Sequence, residues 1–493
     1  MLTRLKVSGF KNLVDTEVRF GPFTCIAGFN GVGKSNLFDA IRFLSLLADH
    51  SFAEAARELR GGTDFRDLFT AGGDGVMSFE CDMIIPRTGR DEFGRRAETR
   101  HVAVQYALVL RLVSADRGSV RMRLLQEELN SRSLDDSPAG WLKEAFRTWN
   151  ERVGQEKSEF TAFIKTVFRG LHGPEWTDDE LRSSIFLVSE KSANRTEENE
   201  GAWGVEYETH MLPRTVLSSA QSARENPTAV LTRAEMRSWR LIQFEPSALR
   251  QPDSLDAPSN MDLQGHHLPA TLARLADGDD GQTYARIANR LAEVVESVRE
   301  VRVDRDDVRR TLQLQLVDRA GAVLPASLLS DGTLRFIALS ALELDPELTG
   351  VVCLEEPENG LHPQRVSAML DLLKAMAVDT SVPVGPDNPL RQVIISTHSP
   401  VVVAQLHPDD VIFADHRDAP SLKPGRLRAL TLRPMAGTWR AASTDTGAVS
   451  IGHVLSYLGA MRPPEQNDEE GEEHTSTMYS LAEAATQLGT RKP

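Results

Sequence analysis

The stretch Gly28-Phe29-Asn30-Gly31-Val32-Gly33-Lys34-Ser35 constrains this chain more than any other. It meets every fixed position of the phosphate-loop pattern GxxxxGK(S/T). Before it, Phe23-Thr24-Cys25-Ile26-Ala27 reads as a short buried strand. After it, Leu37, Ile41, Leu44 and Leu47 recur at helical spacing over Asn36 to Leu47. The pattern requires that order of strand, loop and helix. The glycines let the backbone curl with its N–H groups aimed at a phosphate chain. The helix adds its positive N-terminal end. Lys34 supplies a mobile cation for the β- and γ-phosphates, and the Ser35 hydroxyl is a hard oxygen ligand suited to Mg²⁺.

Three later stretches take their meaning from this one. Gly350-Val351-Val352-Cys353-Leu354-Glu355-Glu356-Pro357 puts two carboxylates at the end of an apolar run, which suits a strand buried on both faces of a mainly parallel sheet. Ligands bind at that edge of open α/β sheets. Glu355 is expected to hold Mg²⁺ through water, and Glu356 to polarise the water that attacks the γ-phosphate. Leu329-Ser330-Asp331-Gly332-Thr333-Leu334-Arg335 opens an apolar helix that Ser330 or Asp331 can cap. Taken alone it reads as an ordinary helix cap. Gln392-Val393-Ile394-Ile395-Ser396-Thr397-His398-Ser399-Pro400 is another buried strand, with an imidazole just past its end and a proline opening the next helix.

Composition bounds the setting. Charged residues are 26% and apolar residues 41%, an ordinary globular balance, and 493 residues allow two or three domains. No apolar run approaches the roughly 18 residues of a membrane span. The first residues lack an apolar signal core and read as a strand, so a cytoplasmic protein with no membrane partner is expected. Cys25, Cys81 and Cys353 sit in strand-like runs without metal spacing, which predicts reduced thiols. The net charge of −15 argues against coating nucleic acid by bulk charge and leaves room for a local basic groove.

Along the chain, strands are expected at Leu5–Phe10, Glu17–Phe20, Val76–Ile85, Val102–Val113 and Met122–Leu129. An Arg-rich hairpin loop lies over Arg87–Arg100. Trp141–Phe168, Arg233–Leu249 and Tyr284–Val298 carry helical periodicity, separated by polar, turn-rich stretches. Strands return at Glu300–Val303 and Thr311–Val317.

All four motif stretches, in this order, resemble the ATP-binding-cassette ATPase heads, a superfamily that includes the SMC proteins, RecF and the OLD-like predicted ATPases of bacterial defence systems. Gly28 to Ser35 matches the Walker A loop, and Leu329 to Gly332 the signature motif. Leu354 to Glu356 matches Walker B with its adjacent glutamate, Pro357 to Pro363 the D-loop, and His398 the switch histidine. Glu355 stands where that pattern has Asp. The wording Glu355-Glu356-Pro357-Glu358-Asn359-Gly360-Leu361-His362-Pro363 resembles the OLD-like group more than transporter subunits, as do Phe10-Lys11-Asn12 and Gly265 to Leu272.

The resemblance implies an α/β fold: an ABC ATPase head with a mainly parallel P-loop sheet, an antiparallel β lobe and a helical insertion. Residues 1–134 are then one half of the head and 135–299 a mainly helical insertion. Residues 300–461 are the second half, and 462–493 an acidic tail too polar to build a core. The implied cofactors are ATP and Mg²⁺. Gly28, Asn30, Gly31, Gly33, Lys34, Ser35 and Asn36 would bind nucleotide, with Ser330 and Gly332 closing on it from another chain. Ser35 and Glu355 would hold the metal, and Glu356, Lys34 and His398 would carry catalysis. A homodimer or higher homo-oligomer follows. Gln105 and Gln126 are candidates for the Q-loop glutamine.

The function this implies is ATP hydrolysis that controls a separate effector, a nuclease or toxin, in antiphage defence. The alternative is a RecF-like repair ATPase that clamps DNA. A transporter subunit fits least. DNA contact, if made, is expected at Arg87, Arg90, Arg95, Arg96 and Arg100, or at Arg233, Arg237 and Arg240. The chain itself is expected to cut nothing, because His266-His267 and Asp279-Asp280 read as loop residues and Glu355 and Glu356 are committed to ATP.

Overall fold

The computed structural model describes residues 1–59, 64–114, 120–133, 139–149, 161–169, 182–190, 204–385, 387–419, 427–444 and 446–460. A six-stranded sheet forms its centre. Its spatial order is Arg240–Ile242, Gly350–Glu355, Arg391–Thr397, Phe23–Ala27, Val411–Ala419 and Leu427–Pro434. Every neighbouring pair is parallel except the last, which is antiparallel. The central strands are buried along nearly their whole length, which is why they read as unbroken apolar runs. Register decides where the chemistry falls. Glu355 lies opposite Ser396, and Thr397 opposite Ala27, so both carboxylates and the phosphate loop leave the sheet at one edge.

The second sheet has eight antiparallel strands, in the order Gly204–Glu208, Arg182–Val188, Ala162–Arg169, Val120–Ser131, Ala103–Ser114, Val76–Ile84, Leu2–Ser8 and Thr16–Arg19. Here the side chains alternate. In Val76–Ile84, Met77, Phe79, Cys81 and Met83 point inward and are buried. The helix Lys34–Leu47 is packed between the two sheets, with Phe43 stacked on Phe10 and both rings against Phe79. Gln392 ties the sheets together: it accepts from Leu2 N (2.9 Å) and donates to Leu2 O (2.8 Å) and Gly21 O (2.7 Å). On the other face of the central sheet, the helices Leu268–Leu275, Gln282–Ala292, Asp331–Leu344 and Val366–Met376 bury a second apolar cluster. A small antiparallel sheet of Asp253–Ser254, Val298–Asp306, Thr311–Asp318 and Val323–Pro325 packs beside them.

The segment 135–299 is more mixed than its periodicity suggests. Among the described residues of the stretch Trp141–Phe168, Gly140–Trp149 is a helix and Ala162–Arg169 is a strand. An apolar run that short has no period separating helix from strand. Pairing with Val120–Ser131 and Arg182–Val188 decides it. Arg233–Leu249 likewise breaks into the end of the helix Pro227–Arg237, the strand Arg240–Ile242 at the edge of the central sheet, and the short helix Pro246–Leu249. The three cysteines are free and buried. The tail 462–493 lies outside the described residues.

Candidate functional site

The phosphate loop is braced from outside. Asn12 donates to Val32 O (3.0 Å) and accepts from Asn36 Nδ2 (2.8 Å), while Lys11 pairs with Asp39 (2.7 Å). A Cβ on Gly33 would lie 2.4 Å from the Asn12 amide, and Gly33 has φ 112°, so this turn excludes any other residue. Gly33 also caps the helix Lys34–Leu47 and has no side chain to close off the first N–H groups. Gly28 N donates to Thr397 O (3.0 Å), fixing the loop to the strand that carries His398. Lys34 is buried, and its Nζ donates to Gly28 O (2.6 Å) and Phe29 O (2.7 Å). Burial pulls its ammonium below the usual lysine range, while Glu356, Glu355 and Glu358 oppose that. A phosphate chain would replace carbonyl acceptors with charged ones.

The carboxylate edge faces this loop. Gln243 Nε2 donates to Glu355 Oε2 (3.3 Å). Glu356 has φ 45°, a left-handed conformation that costs a non-glycine residue about 1 kcal/mol or more. Its N–H donates to Ser396 O (2.8 Å), its Oε1 lies 2.7 Å from His398 Nδ1, and its Oε2 accepts from Asn359 Nδ2 (2.7 Å). Glu358 is buried below and accepts from the Thr397 hydroxyl. Its Oε2 has no hydrogen-bond partner among the described residues. Burial pushes its carboxyl above the usual range.

Ser330 caps the helix Asp331–Leu344, accepting from Thr333 N (3.2 Å), and Asp331 is paired with Arg250. A Cβ on Gly332 would come 2.6 Å from Gly360 O, so helix and loop touch through backbone. One turn on, Arg335 donates to Asn359 O (3.0 Å).

These elements enclose a cleft of about 590 Å³, a size that admits a nucleotide. Asn30, Gly31, Gly33, Lys34, Ser35 and Asn36 line one side, and Glu355, Glu356, Gln243, Arg335 and Asn359 the other. Gly28 and His398 stand behind this lining, joined to it through Lys34 and Glu356. Ser330 and Gly332 lie outside their own chain's cleft. Gln105 bonds to Glu80 and Asp82, and Gln126 to Glu128, all on the antiparallel sheet, so neither serves this site. The glutamine that lines the cleft is Gln243, bonded to Glu355. The signal for it was thin: a glutamine directly after Leu241-Ile242, inside a stretch that reads as helix. Arg233 is buried and paired with Asp49 (2.7 Å) and Glu92 (2.8 Å), which removes it as a DNA contact. Arg95 and Arg96 of the hairpin are exposed, in local pairs with Asp91 and Glu98. His266 and His267 pair with Asp262 and Asp253, and Asp279 accepts from Gly281 N and Thr283 N.

The strand that leads to His398 lies directly beside the phosphate-loop strand, and the strand that ends in Glu355 and Glu356 lies one place further out, not next to the loop as its motif suggested; all three present their ends to one cleft, the layout that the resemblance to ATP-binding-cassette heads implies. Comparisons with known proteins match parts of the chain. A family model described as "AAA domain, putative AbiEii toxin, Type IV TA system" matches residues 181–404. The DNA replication and repair protein RecF of Lactobacillus delbrueckii subsp. bulgaricus is 30% identical over 98 residues, 20% of this chain and 26% of that protein. The RecF of Parabacteroides distasonis is 45% identical over 51 residues, 10% of this chain and 14% of its own. The chain thus spans about a quarter, or less, of the length of these relatives. Among solved structures, an SMC head bound to the C-winged helix domain of ScpA is 12% identical, with 88% of this chain and 98% of that one covered and a TM-score of 0.44. The SMC head domain from Thermotoga maritima is 13% identical over 88% of this chain and 98% of its own, with a TM-score of 0.37. No helix among the described residues is long and apolar enough to cross a membrane.

Proposed function

We propose that the chain hydrolyses ATP between two copies of itself and that this cycle controls a separate effector. The observation that carries the reading is the division of the motifs. Lys34, Ser35, Glu355 and Glu356 meet in one cleft, whereas Ser330 and Gly332 of the same chain lie outside it; Ser330 is exposed at the head of its helix, where a second copy's nucleotide can meet it, with the buried Gly332 just behind. Gly28, Asn30, Gly31, Gly33 and Asn36 shape the phosphate cradle. Lys34 neutralises the β- and γ-phosphates, Glu356 takes the proton of the attacking water, and His398 orients that carboxylate. Ser35 and Glu355 offer two hard oxygens on the same cleft, a donor set that fits Mg²⁺. When bound there, the ion would neutralise charge on the phosphate oxygens.

The effector reading draws on the family model, whose description names a toxin and a toxin–antitoxin system. A nuclease or toxin acting in antiphage defence is the partner class it supports. The matches to RecF favour the second reading, a DNA-clamping repair ATPase, with the exposed Arg95 and Arg96 as its contact.

Mixing two inactive variants tests the shared site. Lys34→Ala and Ser330→Arg should each abolish turnover alone. Mixed in equal amounts they should recover about a quarter of the parent rate, because half of the pairs are mixed and each carries one intact composite site. No recovery, with both variants folded, would show that the signature motif does not serve a neighbour's nucleotide.

A further inference from the structure

We propose that Asn359 is a lock on Glu356, released by the signature helix Asp331–Leu344 through Arg335 and Gly332. The proposal rests on the reading of Glu356 as the base in ATP hydrolysis. A general base must turn a lone pair toward the water it activates, and each protein donor on the carboxylate makes it a weaker base and restricts its orientation. Here each oxygen of Glu356 already has a protein partner. His398 Nδ1 stands 2.7 Å from Oε1, and Asn359 Nδ2 donates to Oε2 at 2.7 Å. Asn359 is held in that position by its own turn, in which its N–H donates to Glu356 O (3.0 Å).

The same short loop is gripped by the signature helix at two points. Arg335 Nη1 donates to Asn359 O (3.0 Å). Gly332 meets Gly360 so closely that a Cβ would lie 2.6 Å from the Gly360 carbonyl oxygen. Gly360 itself has φ 83°, a hinge conformation that a larger residue would resist. Ser330, the exposed cap at the head of this helix, is the residue offered to a neighbouring copy. A shift of the helix as that copy docks therefore carries the loop with it and draws the Asn359 amide off Oε2. The base is withheld from an isolated chain and supplied on closure. Asn359 and Arg335 are positioning residues in this scheme, acting on Glu356 without taking part in the chemistry.

The test is ATP turnover per chain at low and at high protein concentration for the parent, Asn359→Ala, Arg335→Ala, the double variant and Glu356→Gln. Asn359 is exposed, so its replacement does not disturb a core. Asn359→Ala should raise kcat at low concentration about tenfold, the scale of one hydrogen bond to a charged group, with KM unchanged. It should also lose most of the further rise with concentration. Arg335→Ala should blunt that rise in the parent. The double variant should be strongly non-additive, with a rate nearer Asn359→Ala than the product of the single effects. An Asn359→Ala rate at or below the parent at low concentration would overturn the lock, and additive effects would overturn the relay through Arg335. Parent-level turnover by Glu356→Gln would instead remove the base assignment beneath both.

Discussion

The two sheets treat buried carboxylates in opposite ways. In the antiparallel sheet, Glu127 is fully buried and each oxygen is answered. Oε2 accepts from Val216 N (2.6 Å), and Oε1 from Leu217 N (2.8 Å) and the Tyr106 hydroxyl (3.0 Å). These donors come from regular backbone and a packed ring, and nothing in the arrangement faces the cleft. At the edge of the parallel sheet, Glu356 is half-buried on left-handed backbone, and its side-chain partners Asn359 and His398 both lie just past strand ends. Closed polar contacts of the first kind hold the fold together. Open ones of the second kind cost stability and leave a group that can change partners.

Breaking a closed contact should therefore show in melting, and breaking an open one in turnover. The largest stability loss is expected at Arg391. It is buried and donates to Leu348 O (2.8 Å), Leu342 O (3.1 Å), Glu343 O (3.2 Å) and Asp345 O (2.7 Å), closing the C-terminal end of the signature helix. Arg391→Leu removes the guanidinium donors from those carbonyls, of which Asp345 O still accepts from Leu348 N, and should cost about 3–5 kcal/mol, measured by denaturant titration. A loss below 1 kcal/mol would break the contrast at its strongest point.

A smaller effect is expected from pH. Burial pushes the carboxyls of Glu127 and Glu190 up to about 7. Both then bind protons more tightly when folded than the free side chain does. The stability they add is fully present below pH 4.5 and is lost as pH rises through 7. Melting temperature should fall by a few degrees over that window once other carboxylates are accounted for. Glu127→Gln should flatten its share of the slope and lower the plateau, because an amide cannot accept from both backbone N–H groups. An unchanged slope in Glu127→Gln would mean that this site does not titrate there.

The same contrast explains what could be read from the chain. The site's ends were legible because local rules govern them: Gly33 must be glycine, Ser330 caps its helix, and Val351 to Leu354 run apolar into Glu355 and Glu356. What escaped is decided across long separations. Gln243 reaches Glu355 only because a three-residue strand, Arg240–Ile242, pairs with Val352–Leu354. Arg233 looked like a surface cation because Asp49 lies far away in sequence. The strand Ala162–Arg169 is a strand because of its neighbours. Asn359 and Arg335 stood inside known motifs, but their joint grip on Glu356 belongs to the packing of a helix against a loop.

The most direct measurement is steady-state ATP turnover beside nucleotide affinity and melting temperature for Glu356→Gln. The open-edge account expects turnover to fall by about 100-fold or more. Affinity should be retained through Lys34 and the phosphate loop, and melting temperature should stay near the parent's. Turnover at the parent rate, or a melting temperature that falls as far as that of Arg391→Leu, would contradict it.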